Sequence, residues 1–451
     1  MKIEDDQNTP KENSGIASIL KNSVLFKLVI ITVLMLLLLI PTSMIKDIIK
    51  EREQLSEVAR DEVSEKWAGS QQLNGPILSI PLIYVEESSE ELKQIEKTIH
   101  ILPENLKISG DVTPQKLKRG IYEVVVYKSD LKVSGNFNLH GLIDTTHLKS
   151  IQYKEAFVTI GISDLRGIKN RIKLHLNDTV YEVKPGSKIP NEVGSGVIAQ
   201  TTALDAPMNI DFNYQLNLNG SKEIEFIPSG GNTEVDIRSN WQSPSFKGKF
   251  LPDSREVGDS GFTANWKILQ LNKDLPSAWI NENIAGKMQD AAFGFDLIFP
   301  LDDYQKSIRS AKYAVLTIAL TFLTFFLVEI TNKRKIHPFQ YALVGLAICL
   351  FYILLVAVSE HSNFNWAYLI SGASVIGLIV LYSLSIFHRK RLSALLLLVM
   401  TALFGFLFVT LQMEDFALLM GSVGLLIIFA ITMYSTRNID WYNINVDAKN
   451  E

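Results

Sequence analysis

At 451 residues, 47% hydrophobic and only 20% charged with a formal net charge of −4, the chain is too apolar for an ordinary soluble protein of its length. No long Lys/Arg block occurs, so nucleic-acid binding lacks its electrostatic footprint and is excluded. The single cysteine, Cys349, lies in an apolar run, so the polar region 43–310 holds no disulfide and no thiolate zinc site and must fold on its own core.

A membrane span needs about 20 largely apolar residues, and six stretches qualify. The first is Ser23–Pro41. Its flank Pro41-Thr42-Ser43-Met44-Ile45-Lys46 lacks a small-residue cleavage pattern, which makes it an uncleaved anchor rather than a signal peptide. The others are Tyr313–Ile330, Pro338–Val358, Trp366–Ile386, Leu392–Leu411 and Phe416–Tyr434. Loop charges set the expected orientation. Lys333, Arg334 and Lys335 follow span two, and His388, Arg389, Lys390 and Arg391 follow span four, whereas the alternate loops carry Glu360 and His361, then Glu414 and Asp415. Basic loops stay cytoplasmic. The expected layout is a cytoplasmic tail over 1–22, a transmembrane anchor over 23–42, a domain outside the cytoplasm over 43–310, a five-helix bundle over 311–434 and a cytoplasmic tail over 435–451. This describes a multi-pass membrane protein with the lipid bilayer as its first partner.

Beyond span one, Ile45, Ile48, Ile49, Leu55, Val58, Ala59 and Val63 recur at helical spacing. They predict a stalk helix to about residue 68, with the apolar stripe packed on its own domain. The period then changes to two. Leu131, Val133, Gly135, Phe137 and Leu139 alternate with polar residues, as do Ile210, Phe212, Tyr214, Leu216 and Leu218. Asn219-Gly220 reads as a hairpin turn into a strand over Lys222–Ile227, and Asn177-Asp178 as a second hairpin. The fold class expected is a polytopic α-helical membrane protein with a large, β-rich, antiparallel and sandwich-like domain.

Sites of chemistry are scarce. Ser129-Asp130-Leu131-Lys132 matches S-x-x-K, but that motif needs a helix to bring Ser and Lys to one face. Here Lys132 sits in an alternating strand, with Ser129 read as starting it at a hairpin, where losing the hydroxyl costs a few tenths of a kcal/mol. His100, His140, His147 and His175 are scattered and read as surface residues. Catalytic, cofactor-binding and metal residues are therefore assigned as none, the protein is expected not to be an enzyme, and no cofactor is expected. Within the spans, Glu329 is read as snorkelling or pairing with Lys333. The small residues, Ala373 and Gly377 among them, are read as helix-packing positions. His337-Pro338 reads as a helix start. Glu360 and His361 read as a solvated loop, with a polar contact to the base of the β-domain as the sharper alternative.

A set of phrases carries a resemblance. Trp67-Ala68-Gly69-Ser70-Gln71-Gln72-Leu73-Asn74-Gly75-Pro76 leads to Ile80-Pro81. Leu102-Pro103-Glu104 precedes Arg119-Gly120-Ile121-Tyr122-Glu123-Val124 and Gly135-Asn136-Phe137. Ser243-Pro244-Ser245-Phe246 precedes Phe250-Leu251-Pro252 and Gly261-Phe262-Thr263-Ala264-Asn265-Trp266. Lys312-Tyr313-Ala314, His337-Pro338-Phe339-Gln340-Tyr341 and Ser359-Glu360-His361 complete the order. Over nearly the whole chain this resembles the CreD family of inner-membrane proteins. The resemblance implies that the membrane is a bacterial inner membrane and the domain over 43–310 periplasmic. It also implies a role in envelope integrity under a two-component system and no reaction. The function expected is partner binding by the β-domain, the partner being an envelope protein, a lipid or a cell-wall component. A transporter or lipid-handling bundle, and a sensor or modulator of a two-component system, are the alternatives.

Overall fold

The computed structural model describes residues 24–88, 91–202, 209–297, 303–332, 336–413 and 416–437. Lys21, the Lys333–Lys335 loop, Glu414 and Asp415 lie outside the described residues, as do most of both tails. The chain divides into a helical unit, Met1–Leu55 with Leu301–Glu451, and a strand-rich unit, Ser56–Pro300.

Six helices of the helical unit are long and apolar enough to cross a membrane. Span one begins as Val24–Leu37 and resumes as Leu39–Trp67, which runs on into the strand-rich unit. The interruption at Leu38 has a covalent cause. Pro41 lacks an N–H and crowds the carbonyl four residues earlier, that of Leu37. Spans two to six are Ala314–Thr331, Pro338–Ser359, Phe364–Phe387, Lys390–Gln412 and Ala417–Thr436. Span three starts as its sequence announces: His337 Nδ1 accepts from Phe339 N at 3.2 Å, Gln340 Oε1 accepts from His337 N at 3.0 Å, and Pro338 fills the first turn. Span one packs on spans two and three, and span six on span five. A short helix, Asp303–Lys312, lies against spans two to five with Tyr304, Ser307, Ser310 and Ala311 buried. The centre of the unit is filled by rings. Phe322, Phe325, Tyr341, Phe351 and Tyr352 are fully buried, and Phe351 packs edge-on to Tyr352, Tyr368 and Phe404 at 4.9–5.2 Å.

The strand-rich unit holds, among the described residues, one sheet of ten strands and one of eight. The first is built on the long strand Gln71–Ser88, and the second on the hairpin Asn105–Arg119 with Tyr122–Asn138. Their inner faces share one core that includes Leu78, Ile80, Tyr127, Phe137, Phe212, Phe226, Trp266, Phe293 and Phe295. The β-rich class stands, but two pairings are parallel: Gln71–Ser88 with Glu223–Phe226, and Asn105–Arg119 with Asn232–Ser239. An unbroken antiparallel meander is therefore not what forms.

The reason lies at Asn219-Gly220, which is not a hairpin. Strand Asn209–Ser221 continues through it, pairing Asn219 with Lys128 and Gly220 with Tyr127. Glycine is required there for close approach, since a β-carbon would collide with the Tyr127 ring. The chain bends two residues later, at Lys222 with φ 64°, and runs on in the same direction into the other sheet as Glu223–Phe226, so no hairpin forms here. Asn177-Asp178 does turn a hairpin between Lys173–Leu176 and Thr179–Glu182.

The Trp67–Gln71 phrase joins helix to sheet. Trp67 Nε1 reaches Tyr127 O at 3.5 Å, and Gly69 N donates to Asp164 Oδ2 at 2.8 Å. Gln71 Nε2 donates to Asp164 O at 3.0 Å and Asn219 O at 2.9 Å. Hydrogen bonds from Arg166 hold the Asp164 carboxyl down at about 2. The stalk stripe is only partly packed: Ile45 and Ile49 are buried, while Ile48, Leu55 and Val58 are exposed. Over its last turns the helix instead presents Ser56 and Ser64 as buried residues and pairs Asp61 with Lys222 and Glu62 with Arg119.

Candidate functional site

The S-x-x-K residues are not brought together. Ser129 is 4% exposed and faces the core, its Oγ donating to Leu218 O at 3.1 Å, whereas Lys132 lies on the opposite, solvent face of the strand. Ser129 sits mid-strand, opposite Val112 and Leu218, and does not begin a strand at a hairpin. Ser129→Ala therefore costs about 1 kcal/mol, the typical net value of one buried hydrogen bond, measurable as a shift in the denaturation midpoint. Labelling by a β-lactam that depends on Ser129 would contradict this inward placement.

His100 is not a free surface residue. Its Nδ1 lies 2.8 Å from Ser79 Oγ and its ring 5.2 Å from that of Trp279. Burial pushes the imidazole down to about 4, against about 6.5 for an exposed histidine. Between these values the unfolded chain takes up a proton that the folded chain refuses. His100 thus leaves stability intact above pH 6.5 and subtracts from it as pH falls toward 4. Melting temperatures across that window should fall with acid, and His100→Gln should flatten this part of the slope. Among the described residues no group of three or more His, Cys, Asp or Glu is placed to hold a metal ion.

In the helical unit, Glu329 does not snorkel, and Lys333 lies outside the described residues. Its side chain is 3% exposed and pairs with Lys27 of span one. It also accepts from Tyr341 Oη at 2.9 Å and from Ile336 N at 2.9 Å. Sequence could not reveal this partner, because 302 residues separate Lys27 from Glu329. The Ala373 and Gly377 pair does not pack helices together here: Ala373 is exposed, and nothing lies within 4 Å of a β-carbon built at Gly377. The close approaches are at Gly345, where Leu38 enters, and at Gly424, where the Phe406 ring lies.

Glu360 is not a solvated loop residue, and its recorded partners belong to the helical unit rather than to the β-domain. Its side chain is 10% exposed, Tyr304 Oη donates to it at 3.2 Å, and Arg52 Nε lies 3.8 Å away. His361 Nδ1 lies 3.2 Å from Ala357 O of its own helix. Glu360→Ala should release the helix Asp303–Lys312. The expected result is faster tryptic cleavage at Lys306 and Arg309, with His337→Ala leaving the rate unchanged.

A concavity of about 670 Å³ with a polar lining lies on the solvent face of the eight-stranded sheet. Register builds it. Asp111, Arg238, Thr263 and Glu256 stand directly opposite one another on four adjacent strands, and Ser109, Asp236, Asn265 and Ser254 form the next row. Arg238 Nε is 3.2 Å from Asp111 Oδ1, and Asn265 Nδ2 donates to Asp236 Oδ1 at 2.5 Å. One border is the strand Ser254–Gly258, exposed throughout and last in the sheet order, so among the described residues its backbone has a strand neighbour on one side only. No residue of this groove was singled out for function in the sequence. Its strands read only as alternating, and the groove arises from their pairing.

A family model described as "Inner membrane protein CreD" matches residues 23–442. The Escherichia coli (strain K12) protein named Inner membrane protein CreD is 36% identical over 430 residues, covering 94% of this chain and 95% of that protein. The ordered phrases, the six apolar helices and the β-rich unit between the first two of them agree with these matches, and the chain belongs to the CreD family of inner membrane proteins.

Proposed function

We propose that the protein is a non-enzymatic envelope protein that serves envelope integrity by binding another protein through its β-domain. The proposed orientation places both termini in the cytoplasm and the β-domain in the periplasm, on the strength of the basic and acidic loops. One observation carries the reading: the polar groove over Asp111, Arg238, Thr263 and Glu256, bordered by the one-sided edge strand Ser254–Gly258. An extended segment can add to such an edge through main-chain hydrogen bonds, while the groove reads its alternate side chains. The ring-filled centre of the helix bundle counts against a transport path: Phe322 and Phe325 of span two pack on Tyr341 of span three at 5.5 and 6.1 Å, and all three are buried.

Photo-crosslinking residues placed at Glu256 and at Thr263 in living cells test the binding. The expected result is a discrete adduct with an envelope protein at both positions and none at Lys173, on a distant strand of the same sheet. Absence of any adduct at both groove positions would refute the reading. The orientation is tested by reporters active only in the periplasm: a fusion after Phe364 should be active, and fusions after Lys335 and Lys390 should be silent. Activity at either basic loop would reverse the layout.

A further inference from the structure

We infer that spans two and three form a docking seat for span one and that the Lys27–Glu329 ion pair is its latch. Glu329 Oε1 takes Lys27 and the Ile336 N–H, and Oε2 takes the Tyr341 hydroxyl, so every recorded ligand of this buried carboxylate comes from another part of the bundle. A second contact lies eleven residues further along span one, about three helical turns. There Leu38, 6% exposed, enters the notch left by Gly345, where any β-carbon would collide with it. Two contacts at two heights define both the rotation and the depth of a helix.

The latch is needed because lipid removes the usual driving force. Apolar helices gain nothing from burying leucine against leucine when the surrounding tails are equally apolar. The stretch Val24–Leu37 has little else to hold it, since Val29, Val33, Leu36 and Leu37 are all exposed. Turning that stretch by half a revolution would cost little in apolar contact. It would, however, carry Lys27 into hydrocarbon and part it from Glu329, the expensive outcome in a membrane. Charge complementarity therefore selects the single docked orientation of this stretch.

The native Cys349 provides a reporter in the full-length protein in lipid nanodiscs. It is buried and lies one turn beyond Gly345 on the face of span three that carries Tyr341 and Gly345. Lys27→Glu and Glu329→Lys should each raise its labelling by N-ethylmaleimide roughly tenfold, the effect of about 1.4 kcal/mol of lost docking. The reversed pair, Lys27→Glu with Glu329→Lys, should label less than either single variant, short of the parent level because a lysine at 329 cannot accept from Tyr341 and Ile336, and Thr32→Ala should not change it. If the single variants fail to accumulate in the membrane, the uncharged pair Lys27→Met with Glu329→Gln is measured instead, and raised labelling supports the latch. Single variants that label like Thr32→Ala, a reversed pair as reactive as the worse single variant, or an uncharged pair at the parent level would each overturn it.

Discussion

Trp266→Ala is expected to destabilise the β-domain by about 3–5 kcal/mol, the range for removing a large buried aromatic side chain. Trp266 has no exposed surface and packs between Phe246 at 5.8 Å and Phe293 at 5.6 Å, one from each of the paired strands Pro244–Gly248 and Phe293–Leu297 at one edge of the ten-stranded sheet. Its Nε1 donates to Phe250 O at 3.2 Å, so the truncation empties a large volume and also strands a carbonyl. The loss reaches both sheets, because Trp266 belongs to the eight-stranded one and both phenylalanines to the other side of the core. Chemical denaturation of the full-length protein, followed by the circular dichroism of the sheets, measures it. A shift below about 1 kcal/mol would mean that the core collapses around the cavity far better than cores of this kind do.

The second large effect is expected from Glu329→Ala in the helical unit. The truncation leaves the Lys27 ammonium, the Tyr341 hydroxyl and the Ile336 N–H without their common acceptor. Breaking one side of a buried pair costs about 3–5 kcal/mol. Replacing both partners by uncharged side chains of similar shape, Lys27→Met with Glu329→Gln, should cost much less. Denaturation in mixed micelles with increasing ionic detergent compares the two. If the alanine variant is no less stable than the uncharged pair, the carboxylate is not holding Lys27 in place.

Membership of the membrane class, the six spans and the β-rich nature of the polar region were legible in the chain alone. Each rests on a local property. A run of about 20 apolar residues has no stable place except lipid, and a two-residue period has only one pleated reading. The start of span three was also legible, since His337, Pro338 and Gln340 satisfy the first turn from within six residues of one another. The tertiary structure decided what depends on residues far apart in the chain. Asn219-Gly220 has the composition of a hairpin turn, yet the Tyr127 ring takes the space of the missing β-carbon and the strand runs on, bending into the other sheet at Lys222. Glu329 finds Lys27 on a distant helix, and Glu360 finds Tyr304 and Arg52. The candidate groove exists only because four strands from separate parts of the chain align Asp111, Arg238, Thr263 and Glu256 in one row. Periodicity says which way a side chain points from its strand. Which strand lies alongside is settled by non-local pairing and by the shape of the shared core, and local sequence does not encode either.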